Sequence, residues 1–132
     1  MTTTAAPTTA SAAPLIDLAA LRLLVCEIGE AGAETYLTHF RDGLARRLYR
    51  LRDALRPGQT AHALELARNL ATAGTMAGAH ALAQAADALA DSLRSGATCT
   101  DTALADLASL VWATTTALDE ILPDAPRRAV AG

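Results

Sequence analysis

An all-α fold, an antiparallel up-down-up-down four-helix bundle with a short N-terminal capping helix, is what this sequence predicts on three observations. Apolar residues recur at three- and four-residue spacing through most of the chain, the signature of one buried helical face. The composition is 52% hydrophobic but only 3% aromatic, so the core is built of leucine and alanine, and alanine has the best helix propensity. Alternating β-branched runs, which a strand needs, are scarce. At 132 residues the chain is long enough to bury the core of a single domain.

Residues 1–14 hold only Thr, Ala, Ser and Pro after Met1, too little apolar surface to offset chain entropy, and are expected to form a disordered tail. Asp17 is the expected N-cap of a first helix to about Ile28, with Leu18, Leu21, Leu24, Val25 and Ile28 as a broad apolar face. Gly29 and Gly32 break the chain around Glu30 and Ala31. A long helix then spans about Ala33 to Leu55, its stripe Leu37, Phe40, Leu44, Leu48, Leu51 and Leu55. Pro57-Gly58 ends it. A third helix covers about Thr60 to Ala73, and a fourth about Ala77 to Arg94, with Leu82, Ala86, Leu89 and Leu93 inward. Thr100 or Asp101 caps the last, where Leu104, Leu107, Val111, Leu118 and Leu122 face the core and Pro123 follows. Residues 15–122 thus form the bundle, and 123–132 a loose C-terminal tail.

The third helix is the informative one. Ala63, Leu66, Ala67, Leu70 and Gly74 make its buried stripe, and at about 100° per residue Arg68 lies roughly 145° from the stripe's centre. Arg68 shares its outward face with Leu64, Glu65, Ala71, Thr72 and Thr75. A run of small residues follows, then Gly78-Ala79 and Leu82.

This stretch resembles the histidine-containing phosphotransfer domain, whose signature is Ala-His-x-Leu-Lys-Gly, small residues, then Gly-Ala and a further leucine. Ala67, Leu70, Gly78-Ala79 and Leu82 match; Asp17-Leu18 and Tyr36-Leu37-x-x-Phe40 also resemble the family's pattern. The resemblance covers about residues 15 to 122. It implies a helical bundle that serves bacterial two-component phosphorelays by binding a response-regulator receiver domain or a histidine kinase. It also places Arg68 at the phosphohistidine position, Ala71 at the family's lysine and Thr72 at its glycine. A guanidinium is protonated at any accessible pH and has no free lone pair, so Arg68 is not a phosphoryl acceptor.

The expected function is therefore that of a phosphorelay module without the usual phosphohistidine, an adaptor or inhibitor that binds through Leu64, Glu65, Arg68, Ala71, Thr72 and Thr75. Arg46 and Arg50, one turn apart on the long helix, extend this surface by electrostatic steering, although Asp42 and Asp53 are spaced to compensate them. Two alternatives stay open: phosphotransfer through a displaced histidine, His62 or His80, and a helical structural or dimerisation module.

Other classes find no support in the sequence. Net charge is −3 and pI about 5.5, which argues against nucleic acid as partner. All eleven basic residues are arginine, and Arg41, Arg46, Arg47, Arg50, Arg52 and Arg56 cluster on the long helix. Cys26 and Cys99 are expected as reduced, unpaired thiols, and neither they nor His39, His62 or His80 sit at metal-ligand spacing. Nucleophile elbows and phosphate-binding glycine loops are missing, so no enzyme activity and no cofactor are expected. No apolar run is long enough for membrane insertion and the N-terminus lacks a secretory pattern, which together imply a cytoplasmic location.

Overall fold

The Asp17 carboxylate accepts a hydrogen bond from the Ala19 amide at 3.0 Å, fulfilling the expected N-cap, and the chain turns helical at once. The computed structural model describes residues 15–56, 58–96 and 100–122. Pro57, Cys99, Pro123 and both tails, about which the sequence makes specific predictions, lie outside the described residues. Four helices result: α1 (Leu18–Ala54), α2 (Thr60–Met76), α3 (His80–Ser95) and α4 (Thr100–Ile121). Each packs on its neighbour in sequence, and α1 returns to α4, closing an all-α four-helix bundle.

Gly29 divides α1 into two arms, its φ of +84° and ψ of 164° being non-helical. The break is narrower than expected, because Gly32 stays helical under Ile28 and the second arm begins directly after Gly29. The first arm lies over the α2–α3 junction, where the Asp17 amide donates to the Gly78 carbonyl at 2.8 Å. It therefore caps one end of the bundle, as predicted. Its broad apolar face is not covered, however: Leu24 is buried and Leu21 half-buried, whereas Leu18, Val25 and Ile28 are exposed. A short arm crossing a bundle's end touches it along one line, so only one stripe is buried.

The remaining stripes fall largely where periodicity places them. Leu44, Leu51, Leu70, Leu82, Leu89, Leu107 and Leu118 are fully buried, with Ala63, Ala67 and Ala86 between them. Leu48, Leu55, Leu66 and Leu93 are half-buried at the margin. Tyr36 stacks on Phe40 with ring centroids 6.4 Å apart, and its hydroxyl donates to the Ala73 carbonyl of α2 at 3.3 Å. Burial pushes the Tyr36 phenol above its ordinary pKa.

Among the described residues, two polar side chains interrupt the core. Arg41 is buried and donates from Nε and Nη2 to Asp42, and from Nη1 to Asp119 at 3.3 Å, tying α1 to α4. Thr114 of α4 is fully buried, and its hydroxyl has no hydrogen-bond partner among the described residues. An unpaired buried hydroxyl costs about 1–3 kcal/mol of desolvation. Thr114→Val keeps the branched shape without that cost, so its denaturant midpoint is expected to rise, equivalent to about 1 kcal/mol, at unchanged m-value.

Candidate functional site

Helix α2 exposes a ridge between two hollows. On the α3 side, Arg68, Ala71, Thr72 and Thr75 line a shallow hollow of about 300 Å³, closed opposite by Asp87 of α3. On the α1 side, Leu66 and Asn69 face His39, Gly43, Arg46, Arg47 and Arg50 across a groove of about 430 Å³. At 100° per residue the two sets of α2 residues lie roughly 140° apart around its axis. The expected site residues are thus brought together on one helix and its flanks, but as two sub-sites: Arg46 and Arg50 belong to a different hollow from Arg68.

Arg68 is exposed, and no ion pair forms to it among the described residues, neither with Glu65 nor with Asp87. Glu65, Thr72 and Thr75 are exposed beside it, with the Thr75 hydroxyl turned back to the Ala71 carbonyl at 3.0 Å. Two neighbours depart from expectation. Ala71 is only 5% exposed and forms the floor of the hollow rather than its surface. Leu64 is half-buried against the core, so it is not the exposed apolar centre that the helical wheel suggested. Close approach of α3 accounts for Ala71: Gly74, one turn further along, leaves its missing Cβ 3.3 Å from the Ala83 Cβ.

The arginines of α1 sort by partner. Asp42 is taken by Arg41, and Asp53 by Arg56 at 2.9 Å, so neither carboxylate compensates Arg46 or Arg50 as the spacing allowed. Arg52 lies over the Tyr49 ring, 5.4 Å from its centroid. Arg46, Arg47 and Arg50 remain without an ion pair among the described residues. Sequence reasoning had placed Arg46 and Arg50 beside the Arg68 helix, and α1 does pack on α2. It missed His39, Arg47 and Asn69 as groove residues and Asp87 as the wall facing Arg68. Positions 39, 43, 46, 47 and 50 at helical spacing were the signal for the α1 residues.

The displaced histidines differ. His62 is exposed on the outer side of α2. His80 is held by Asp17, with Nε2 3.0 Å from a carboxylate oxygen, across the junction between the first arm and α3. That contact, followed by the Ala19 amide, holds the Asp17 carboxyl below its ordinary pKa of 3.8. A depressed carboxylate contributes stability that is fully present above the unfolded value and lost as pH falls through the folded one. The stability difference between wild type and Asp17→Asn, measured by denaturant melts, is therefore expected to shrink as pH falls below 3.8.

Among the described residues no group of His, Cys, Asp and Glu is arranged to hold a metal ion, and no helix is long and apolar enough to cross a membrane. No family model matches the chain, nor does any curated protein or solved structure.

Proposed function

We propose that this protein is a phosphorelay-associated adaptor or inhibitor that docks a receiver domain or histidine kinase on α2 and relays no phosphate. The observation that carries this reading is Arg68: an exposed guanidinium without an ion pair among the described residues, projecting over a hollow in mid-helix, where the resemblance puts a phosphohistidine. A receiver's phosphorylation pocket is rich in carboxylates, and a guanidinium meets carboxylates through charge-assisted, forked hydrogen bonds. Such a contact binds without accepting a phosphoryl group. A module of this kind competes with a true phosphotransfer domain in the cytoplasm. Engagement of His80 Nε2 by Asp17 weighs against its use as a displaced acceptor.

The test is binding of the purified protein to receiver domains from its own cell, run beside a phosphotransfer assay from phosphorylated receiver. Binding without acid-labile phosphate on this chain is the expected result. Transferred phosphate, lost in His62→Ala, overturns the assignment, and absence of any receiver or kinase binding overturns it equally.

A further inference from the structure

The groove between α1 and α2 has features that partner docking through Arg68 does not use. We infer that it is a binding site for a small anion carrying two or three phosphate groups, held by Arg46, Arg47 and Arg50. Arg46, Arg47 and Arg50 line about 430 Å³ of open space, and no carboxylate among the described residues lines it. Two acidic residues of the same helix that are spaced to meet these arginines are engaged elsewhere, Asp42 with Arg41 and Asp53 with Arg56. Arginine forks match phosphate oxygens in pairs, and Arg46 and Arg50 stand one turn apart, about 6 Å along the axis. That span suits a short phosphate chain better than a single phosphate. Asn69, facing them from α2, adds an amide donor.

Gly43 supplies an independent observation. It lies in the middle of the second arm of α1, where glycine is the poorest helix former after proline, and its φ is not positive. Packing does not call for it either, because a Cβ built there meets nothing within 4 Å. The open space beside it is the groove itself. A side chain at this position occupies the volume that the ligand needs, so a ligand in the groove accounts for the glycine where packing does not. The chemistry required is the phosphate chain alone, whether it comes from a free polyphosphorylated metabolite or from a phosphorylated lipid headgroup.

The experiment titrates tripolyphosphate into the full chain by calorimetry at low and at physiological ionic strength. One site is expected, weakening as salt rises, because counter-ions screen and compete for the guanidiniums. Arg46→Gln with Arg50→Gln is expected to lower affinity at least tenfold, while Arg22→Gln, an exposed arginine of the first arm outside the groove, changes it less than twofold. Gly43→Leu is the decisive variant, since it favours the helix yet fills the groove: it is expected to raise the melting temperature and to lower affinity at least tenfold. Absence of binding, equal loss in the Arg22 variant, or full affinity in Gly43→Leu overturns the site. Co-sedimentation with phosphatidylcholine vesicles containing a bisphosphorylated inositol lipid, dependent on the same arginines, identifies a headgroup as a source; binding of tripolyphosphate without co-sedimentation identifies a soluble one. Arg68 is untouched in all these variants, so the result stands apart from receiver binding.

Discussion

Charge reversal at Arg68 is expected to abolish receiver binding while leaving the bundle intact. The side chain is exposed and forms no ion pair among the described residues, so folding owes it little, and a surface substitution of this kind changes stability by no more than about 0.5 kcal/mol. Binding is another matter. Removing one partner of a desolvated charge pair costs about 2–5 kcal/mol at an interface, and Arg68→Glu adds repulsion from the carboxylates it would face. A loss of at least about 100-fold in affinity follows from the lower end of that range together with the repulsion. Calorimetry with the receiver that binds wild type measures it, and a helical circular-dichroism melt checks the fold. Affinity retained within a few-fold would sink the docking role of Arg68. Arg68→Gln separates charge from shape, because it keeps hydrogen-bonding capacity and loses only the pairing.

How much of this was legible beforehand depends on which neighbour decides each residue's surroundings. The stripes through Leu44, Leu51, Leu70, Leu82, Leu89 and Leu118 were readable because helical periodicity alone puts them inside. The Asp17 cap was readable for the same reason, being decided within a few residues of chain. Ala71 and Leu64 were misplaced because a helical wheel describes one helix, whereas the approach of α3 and the tilt of the pair set which flank is covered. The exposure of Leu18 and Ile28 has the same origin: their arm is amphipathic enough to be buried, but a bundle's end offers it a single line of contact. Ion pairing was hardest to read. Asp42 has both Arg41 and Arg46 within reach in sequence, and the choice of Arg41 follows from that side chain's burial beside Asp119 of α4, a long-range fact.

Gly78→Ala is expected to be among the most damaging single-methyl additions to this chain. Gly78 sits just past α2 with φ +78°, its amide donating to Thr75 O at 3.1 Å and the next amide, of Ala79, to Gly74 O at 2.8 Å. This is the Schellman ending that turns the chain from α2 into α3, and it needs the left-handed conformation. A methyl group there carries a conformational cost of about 1–2 kcal/mol. It also has nowhere to go: a Cβ would stand 3.0 Å from the Asp17 carbonyl oxygen, 3.2 Å from the Ala20 Cβ and 3.3 Å from the Asp17 nitrogen. Overpacking against backbone adds about 1–3 kcal/mol, for a total of about 3 kcal/mol. The steric part can be relieved in one way, by lifting the first arm off the junction and breaking the Asp17–Gly78 hydrogen bond and the Asp17–His80 pair. Two measurements therefore read the same substitution. Denaturant unfolding is expected to show the loss of stability, and hydrogen exchange to show the greatest gain across residues 18–28, with α4 protected to the new global limit. A loss under about 1 kcal/mol with no change in the first arm would mean that the arm does not dock on this glycine.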